Sequence, residues 1–357
     1  MKPAQLSQPA AQASAAPGQT TMQAVVQHRY GTGPKDVLRL ERIATPAIAA
    51  NEVLVQVRAA GVDRGTWHLM AGEPYVMRLL GFGFRGPKNP VPGLDVAGTV
   101  VAAGAGVTRF RAGEEVFGIA RGSFAEYAAA RAGKLAHKPA RLSFEQAAAI
   151  AVSGLTALQG LRAGRLHAGQ KVLVIGASGG VGSYAVQLAK AFGAEVTGVC
   201  STGKTDLVRS IGADHVIDYT HDDFADGRHR YDLILDIGGN SRLARLRRAL
   251  TPTGTLVIAG GEGGKWTGVG RQLRALMLSP FTRQRLTTYV SRHRQADLDT
   301  LRQLIETGQV TPFIGRTYPL AELPEAIHHL QAGHARGKIA ITSARPGFLR
   351  CGRSGPG

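Results

Sequence analysis

The sequence predicts an α/β protein in which a partly open β-barrel domain is joined to a domain with a doubly wound parallel sheet. Short strands separated by Gly- and Pro-rich turns fill residues 23–130, which is typical of a small barrel. Strands and helices then alternate from residue 172 to residue 259, which is typical of a doubly wound sheet. A chain of 357 residues is long enough for two such domains.

The barrel strands and a helix after them come first along the chain. Residues 143–164 carry apolar side chains at helical spacing, Ser143 is a suitable N-cap, and Gln146 completes a capping box. The clearest strands before this helix are 23–27, 52–60, 96–103, 115–118 and 125–129.

The alternating part and the C-terminal part follow. The final strand, 338–342, would need a further crossover to join the parallel sheet, so we expect it to return to the first domain. A basic amphipathic stretch, 271–286, is interrupted by Pro280. The predicted strands are 172–175, 195–199, 215–217, 233–236 and 255–259, and the predicted helices are 183–192, 204–211, 241–249, 296–306 and 323–330.

These elements divide the chain into two domains and two tails. We expect the barrel domain at 22–145 and 287–343, the parallel-sheet domain at 146–286, and disordered tails at 1–21 and 344–357. The N-terminal tail has no apolar core of a secretory signal and holds a single Lys and no Arg, which also disfavours a transit peptide.

A glycine-rich turn between the first strand and helix of the alternating part indicates a dinucleotide site. The turn reads Ala177-x-Gly179-x-x-Gly182, with Ala in the first glycine place of the fingerprint. Gly179 lets the backbone approach a pyrophosphate, and Gly182 lets the helix lie close to the strand. The helix N-terminus then offers free N–H groups to the phosphates.

The end of the second strand indicates which dinucleotide is bound. NAD-binding proteins usually place an acidic residue about 20 residues beyond the glycines, where it holds the ribose 2′-hydroxyl. Here Cys200 and Ser201 occupy that place, and Thr202 and Lys204 follow. Hydroxyl donors and a cation suit a 2′-phosphate, so we expect NADP(H). The alternative interpretation is a polar strand end with a solvated lysine.

Composition and charge limit the other functional classes. The net charge of +18 permits binding to nucleic acid, but the arginines are scattered and no aromatic-and-basic motif accompanies them, so no nucleic-acid partner is expected. The two cysteines, Cys200 and Cys351, allow no disulfide framework or cysteine-based zinc cluster. No apolar stretch approaches the length of a membrane span, and the cytoplasm is the expected location.

Several further motifs occur in one order and together resemble those of the medium-chain dehydrogenase/reductase superfamily, in its zinc-independent quinone oxidoreductase branch. The resemblance covers residues 22–343. The motifs are Gly93-Leu94-Asp95-Val96-Ala97-Gly98, Gly113-Glu114-Glu115-Val116-Phe117-Gly118, Gly122-Ser123-Phe124-Ala125-Glu126-Tyr127, the fingerprint, Gly212-Ala213-Asp214-His215-Val216-Ile217-Asp218-Tyr219 and Gly337-Lys338.

The resemblance implies a GroES-like catalytic domain interrupted by a Rossmann domain, with the active site between them, and commonly a homodimer. It assigns pyrophosphate binding to the glycine turn and the adenosine 2′-phosphate to Ser201, Lys204 and Tyr219. The full set of implied cofactor contacts is Thr156, Ser178, Gly179, Gly180, Val181, Gly182, Ser201, Lys204, Tyr219, Ala259, Gly260 and Lys338.

The chain departs from the zinc-dependent alcohol dehydrogenases of the same superfamily. Asp63 stands where they have Cys, Gly93-Leu94-Asp95 replaces Gly-His-Glu, and their four-cysteine lobe is missing. Asp63, His68 and Asp95 are a poor zinc set, so no metal is expected.

Quinones and conjugated enones need less activation by the protein than alcohols do, because delocalisation already activates their electrophilic carbon. We therefore expect hydride transfer from NADPH to a small quinone or α,β-unsaturated carbonyl. The expected catalytic cleft residues are Asp63, Trp67 and Tyr75, with Phe124 and Trp266 as weaker candidates. The proton donor and the role of Asp63 stay open.

Two other functions remain as alternatives. One is an NADP-linked alcohol dehydrogenase or aldehyde reductase, and the other is an NADPH-binding regulator or RNA-binding protein, supported by net charge. Whatever the function, the stretch 271–286 is a mobile cover over the substrate cleft, a subunit contact, a membrane-surface helix or, as we prefer, an irregular connector with a solvated basic face.

Overall fold

The computed structural model describes residues 20–75, 78, 83–239, 241–260 and 270–343. Most of the two expected tails and the candidate cleft residue Trp266 lie outside the described residues. None of the helices in the described ranges combines the length and hydrophobicity needed to cross a bilayer.

The N-terminal part forms the barrel domain. Its strands are β1 (Thr21–Gln27), β2 (Leu38–Ala44), β3 (Glu52–Val62), β4 (Asp95–Ala103), β5 (Glu115–Ile119), β6 (Tyr127–Arg131) and β7 (Leu135–His137), and its helices are α1 (Pro34–Val37), α2 (Arg64–Ala71) and α3 (Phe144–Ala148). Strand β6 begins two residues later than expected, since Glu126 is already held by Gln23, whose carbonyl accepts from the Glu126 N–H at 2.9 Å.

The middle of the chain forms the parallel-sheet domain. Its elements are α4 (Ala151–Ala163), β8 (Lys171–Ile175), α5 (Gly180–Ala191), β9 (Glu195–Cys200), α6 (Thr205–Ser210), β10 (His215–Asp218), β11 (Tyr231–Asp236), α7 (Leu243–Ala249), β12 (Leu250–Ile258), α8 (Gly270–Leu278) and β13 (Arg285–Thr288). Among the described residues the strand order is β10-β9-β8-β11-β12-β13, which is a doubly wound sheet as predicted, with β13 as a sixth strand that the sequence analysis does not predict.

The last part of the chain contains α9 (Gln295–Glu306), β14 (Ile314–Pro319), α10 (Leu323–Gln331) and β15 (Lys338–Thr342). Strand β15 lies between β14 and β3, and pairs with β3 in antiparallel register from Ile339–Val62 to Thr342–Ala59. The expected return of the last strand to the barrel domain is therefore confirmed.

One continuous hydrophobic core joins the two domains. The predicted helix at 143–164 is two helices, α3 and α4, and the capping box of Ser143 and Gln146 starts the first of them. Apolar residues of α4, α5, β4, β5 and α9 belong to the same buried cluster. Leu301 of α9 packs on Gly154 of α4, whose missing side chain leaves the room. This packing joins α9 to the parallel-sheet domain.

Candidate active site and cofactor cleft

The glycine turn after β8 has the geometry of a phosphate cradle. A Cβ on Gly182 would lie 2.1 Å from the Gly176 carbonyl oxygen, so a side chain there would push α5 away from the strand. A Cβ on Gly179 would meet nothing closer than 3.5 Å, so the face of the turn is open. Gly179 is the N-cap of α5, and no side chain of the described residues caps this helix. Its first N–H groups are therefore available to an anion.

The carboxyl ends of β8, β9, β11 and β12 meet at one edge of the sheet, and the strand order reverses between β8 and β11. Ser201 follows β9, while Ala259 and Gly260 follow β12, with both amides donating to the Asp236 carbonyl. This edge is the place where a doubly wound sheet binds a dinucleotide. The structure therefore brings the expected cofactor residues of three loops to one edge of the sheet.

Asp236, at the end of β11, is a buried carboxylate that the sequence did not single out. Arg271 of α8 donates to Asp236 Oδ2 at 2.5 Å, to the Ser241 carbonyl at 3.1 Å and to the Gly260 carbonyl at 2.9 Å. Burial raises the pKa of Asp236, and the Arg271 guanidinium opposes this. Helix α8 covers the first half of the basic stretch and is anchored to the switch point of the sheet through Arg271, so this part is an ordered helix and the expected irregular connector is wrong for it.

The residues expected at the 2′-phosphate lie along the same edge of the sheet, at the ends of β9 and β10. Lys204 Nζ donates to the Gly333 and Ala335 carbonyls at 2.7 and 2.9 Å, which ties the end of β9 to the loop before β15. Burial, followed by the repulsion of Arg336, lowers the pKa of Lys204. Tyr219 is 57% exposed, and its amide donates to the Cys200 carbonyl at 3.1 Å.

The loop 333–337 also touches the glycine turn. The Gly337 amide donates to the Ser178 carbonyl at 2.8 Å, and Gly179 and Gly337 form an isolated parallel bridge. Residues of the barrel domain therefore lie directly against the glycine turn. Gly337 has a φ of +66°, a conformation that glycine adopts without strain.

Lys338, expected at the cofactor phosphates, has its ammonium on two carboxylates instead. Its Nζ lies 2.8 Å from Asp95 Oδ2 and 3.8 Å from Asp63 Oδ2, and the side chain is buried. Its stem runs beneath the glycine turn, because a Cβ on Gly180 would meet Lys338 Cδ at 2.9 Å. Asp95 Oδ1 accepts from the Val152 amide of α4 at 2.7 Å.

Charge and burial oppose each other in this cluster. Burial raises the pKa of Asp95 to about 6, while Lys338 and the Val152 amide act to lower it. Burial also acts to lower the pKa of Lys338, but Asp95 and Asp63 outweigh it and raise that pKa. At neutral pH the ion pair is therefore charged on both sides.

Asp63 has a structural role that its place before α2 explains. It is the N-cap of that helix, and Oδ1 accepts from the Thr66 amide at 2.9 Å. Trp67 lies one turn further on the same helix face and packs against the barrel core. Its indole Nε1 is buried with no hydrogen-bond partner among the described residues.

Three other residues were expected at the site, namely Tyr75, Thr156 and Phe124, and their contacts are as follows. The Tyr75 ring packs against the Arg78 guanidinium at 4.7 Å, and Arg78 also covers Tyr30 at 4.5 Å. Thr156, on α4, donates to the Val152 carbonyl at 2.7 Å, and its own carbonyl accepts from the Tyr289 hydroxyl. Phe124 is buried in the barrel core.

His293 is a second residue that sequence reasoning missed. It lies in the loop before α9 and is half-buried. Burial and then Lys134 lower its pKa, while Asp63 opposes them, so His293 shares the electrostatic environment of the barrel side of the cleft. Its surroundings in sequence are Arg- and Ser-rich and carry no periodic pattern that marks it.

The donor set fits a dinucleotide and does not fit zinc. The open glycine turn and the uncapped N-terminus of α5 fit the pyrophosphate of a nicotinamide dinucleotide. The carboxylates of Asp63 and Asp95 instead face the Lys338 ammonium. Within the described ranges, no group of three or more His, Cys, Asp or Glu is arranged to hold a metal ion.

Two family models match the chain. The alcohol dehydrogenase GroES-like domain matches residues 49–140, and the zinc-binding dehydrogenase matches residues 211–341. The chain is also 33% identical over 362 residues to the Mus musculus protein named NAD(P)H oxidoreductase RTN4IP1, mitochondrial, with 90% of this chain and 89% of the relative covered.

The chain belongs to the medium-chain dehydrogenase/reductase superfamily.

Other members of this superfamily are similar over most of the chain. A Solanum lycopersicum protein named 2-methylene-furan-3-one reductase is 33% identical, with 87% of this chain and 76% of the relative covered. An Arabidopsis thaliana protein named NADPH-dependent alkenal/one oxidoreductase, chloroplastic, is 33% identical, with 90% and 79% covered. The solved quinone oxidoreductase of Coxiella burnetii superposes with a TM-score of 0.81 at 28% identity, covering 91% of this chain and all (100%) of that one.

Proposed function

We propose that the protein is an NADPH-dependent reductase of small quinones or α,β-unsaturated carbonyl compounds. The observation that carries this proposal is that an open glycine turn, an uncapped helix and the Ser201–Lys204 strand end lie along one sheet edge. The relatives named as alkenal/one and quinone oxidoreductases support the substrate class. NADPH, when bound, supplies a hydride.

The residues of the chain then bind the cofactor, orient the substrate and exclude water. Under this proposal the glycine turn 178–182 holds the pyrophosphate, and Ser201, Lys204 and Tyr219 hold the 2′-phosphate. Thr156, Ala259 and Gly260 lie along the nicotinamide side. Lys338 acts as a positioning residue, because its ammonium is held by Asp95 and Asp63 while its stem supports Gly180.

The substrate side of the cleft is assigned to Asp63, Trp67 and Tyr75. Asp63 orders the start of α2 through its bond to Thr66, and this places Trp67. The unpartnered indole N–H of Trp67 is a donor suited to the oxygen that gains negative charge as hydride adds to the conjugated carbon. An ionised Asp63 only accepts hydrogen bonds, so it is not assigned as that donor.

We also propose a homodimer and a cytoplasmic location. Strand β13 is an edge of the parallel sheet among the described residues, and its free side is able to pair with a second copy. Several relatives are named as mitochondrial or chloroplastic, so the compartment needs its own measurement. Size-exclusion chromatography with light scattering, and fluorescence microscopy of a tagged chain, test these two points.

Turnover assays test the proposed function. NADPH consumption is followed with a quinone, a conjugated enone and a simple aldehyde, and NADH is used in parallel. Turnover of the quinone or enone with NADPH supports the proposal. Turnover of the aldehyde only supports the alcohol dehydrogenase alternative, and equal rates with NADH overturn the cofactor assignment.

A further inference from the structure

His293 lies at the tip of a tight turn between β13 and α9. The Arg294 amide donates to the Arg292 carbonyl at 3.0 Å, which closes a three-residue turn with His293 in the middle. The Gln159 side chain of α4 fixes this turn, since it donates to the Arg292 carbonyl at 2.6 Å and accepts from the Arg292 amide at 2.8 Å. The backbone that carries the histidine is therefore held by the parallel-sheet domain.

The segment that leads to the turn starts at the edge of the parallel sheet where the glycine turn lies. Strand β13 runs parallel to β12, so its carboxyl end lies at that edge. The hydroxyl of Tyr289, the next residue, donates to the carbonyl of Thr156. Thr156 lies about one turn before Gln159 on α4. The chain therefore follows α4 from the sheet edge to His293.

The barrel domain brings two charged residues to the same place. A row of paired residues crosses β3, β4, β5 and β7, and its members are Ala60, Val96, Gly118 and Leu135. Asp63 and Lys134 both lie just beyond this row, at the same edge of the barrel sheet. Gly133 lies beside the turn, because a Cβ on it would be 4.0 Å from Gln295 Oε1. His293 therefore faces the barrel edge that holds Asp63 and Lys134.

The electrostatics of the ring agree with this placement. Burial and then Lys134 lower the pKa of His293, and Asp63 opposes them. The ring is half-buried and has no hydrogen-bond partner within the described ranges. Its ring nitrogens are therefore available to a ligand in the cleft.

The remaining charged groups around the turn are Asp297 of α9, Arg162 of α4, Lys338 of β15 and, on the turn itself, Arg292 and Arg294. Asp297 accepts from Arg162, and both arginines of the turn are exposed. The Lys338 ammonium lies 3.8 Å from Asp63 Oδ2. Lys134 and Asp63 are thus the charges that act most directly on the histidine.

Two other groups at this edge carry a proton, and both are engaged. The Tyr289 hydroxyl donates to the Thr156 carbonyl, and burial raises the pKa of Tyr289. The Lys338 ammonium lies 2.8 Å from Asp95 and is buried. An imidazole, in contrast, gives up a proton readily near neutral pH.

We propose that His293 is the proton donor of the reaction and that Asp63 supports its protonated form from the barrel side. The inference rests on the proposed reduction of enones and assigns the role of donor within it. It also gives Asp63 a part in the chemistry in addition to capping α2.

The proton transfer follows the addition of a hydride to the β-carbon of the enone. That addition moves the electron pair of the C=C bond towards the carbonyl and leaves an enolate. The enolate pair then forms a C–H bond at the α-carbon while an N–H bond of His293 breaks, and the carbonyl is restored. The neutral ring takes a new proton from water, which its exposed part reaches.

An enone and a quinone place different demands on this donor, because carbon takes up a proton slowly whereas a hydroquinone oxygen exchanges with water rapidly. His293→Gln should therefore lower kcat for an α-methyl cyclic enone about 100-fold or more and kcat for benzoquinone less than about threefold. For the wild type, kcat with the enone should rise as the pH falls from about 8.5 to about 6, and the variant should lose this slope.

The handedness of the product gives a second measurement, which the wild type alone provides. A fixed donor delivers the proton to one face of the enolate, so the wild type should form one enantiomer of the α-methyl ketone, with one deuterium at the α-carbon in heavy water. His293→Gln should form both enantiomers, since water reaches either face. A racemic ketone from the wild type would overturn the inference.

A third measurement needs no turnover. The imidazole resonance of His293, assigned by its loss in His293→Gln, should shift when the saturated ketone is added to the chain with NADP⁺. The resonance of His229, an exposed histidine, should stay in place, and His229→Gln is the matched control for the kinetics. A His293 resonance that ignores the ketone would contradict contact with the substrate.

The outcomes separate this inference from the proposed function. If the wild type reduces the enone and His293→Gln keeps its rate, pH slope and product handedness, the inference is wrong and the proposed function stands. If the wild type reduces benzoquinone and not the enone, the inference is also wrong, because no carbon is protonated. If it reduces neither, the proposed function itself is wrong.

Discussion

Lys338, the first residue of β15, and Asp95, the first residue of β4, form a buried ion pair 2.8 Å long at the junction of the two domains. Asp95 also accepts from the Val152 amide, so the pair ties the barrel sheet to α4 of the parallel-sheet domain. The same lysine stem supports the glycine turn. This pair of side chains thus connects the barrel sheet, the domain junction and the glycine turn.

Breaking this pair from one side is expected to destabilise the fold. Asp95→Asn leaves a buried ammonium with Asp63 at 3.8 Å, and Lys338→Met leaves two facing carboxylates, so each variant should lose about 3–5 kcal/mol in urea unfolding. The double variant should recover a large part of that loss, because both fully buried charges are gone and the remaining carboxylate, Asp63, still accepts from the Thr66 amide. Additive losses in the double variant would contradict a direct coupling.

Lys204→Ala is expected to weaken NADPH binding about tenfold or more and to change NADH binding less than about twofold, because the charge-assisted bond that we propose to the 2′-phosphate is removed. Titration of cofactor fluorescence measures both constants. Arg209→Ala, an exposed cation on the following helix, serves as the control. An equal loss for both cofactors would show that Lys204 acts by holding the loop 333–335.

Gly182→Ala is expected to abolish tight cofactor binding and to cost about 1–3 kcal/mol in stability, because its Cβ would lie 2.1 Å from the Gly176 carbonyl oxygen. Thermal unfolding and NADPH titration measure the two effects. Gly270→Ala places a methyl where nothing lies within 4 Å and should be neutral. Normal NADPH binding by Gly182→Ala would rule out the close helix–strand contact as a requirement.

Trp67→Phe is expected to lower kcat for a quinone or enone by about tenfold or more, because the ring remains while the indole donor is lost. The KM for NADPH should stay unchanged, since we propose that the residue lies on the substrate side. Steady-state kinetics with varied substrate and fixed NADPH measure this. An unchanged kcat would mean that Trp67 serves packing and nothing more.

The free energy of unfolding is expected to fall as the pH drops below 6.5, the ordinary pKa of a histidine, partly because of His293. Burial and Lys134 lower the pKa of His293 in the folded state, so the unfolded chain binds more protons below 6.5. This contribution is fully present above 6.5 and is lost on acidification. His293→Gln should flatten the dependence of Tm on pH between about 7.5 and about 5.5, which is about one unit on each side of the ordinary histidine pKa. The exposed His229→Gln should not, and identical profiles for both would refute the assignment.

The sequence predicts the fold well wherever a local pattern determines the element. The bounds of β15 agree with the structure, and the glycine fingerprint lies between β8 and α5 as expected. Four strands, β2, β7, β13 and β14, are not predicted from the sequence. Strand β14 is an edge strand with Gly315, Arg316 and Pro319, and its exposed residues show no hydrophobic alternation.

The candidate site is less predictable, because its contacts join distant parts of the chain. Lys338 was expected at the phosphates, but its bond to Asp95 depends on the pairing of β15 beside β3, which no local pattern specifies. His293 and Arg271 lie in basic stretches where many similar residues are solvated. Their partners, Asp63 and Asp236, become visible only after the sheets and α9 have packed.

The position of β15 between β14 and β3 also determines the order in which the protein is able to mature on the ribosome. Strands β8 to β13 are contiguous in sequence, so the nucleotide-binding sheet is completed while the barrel sheet still lacks its closing strands. Until residues 338–342 are synthesised, residues 59–62 of β3 are open to unwanted pairing with other nascent chains, whereas residues 52–56 are already paired with β6. Chaperone demand should therefore be greatest late in translation, and it should end when Lys338 reaches its two carboxylates.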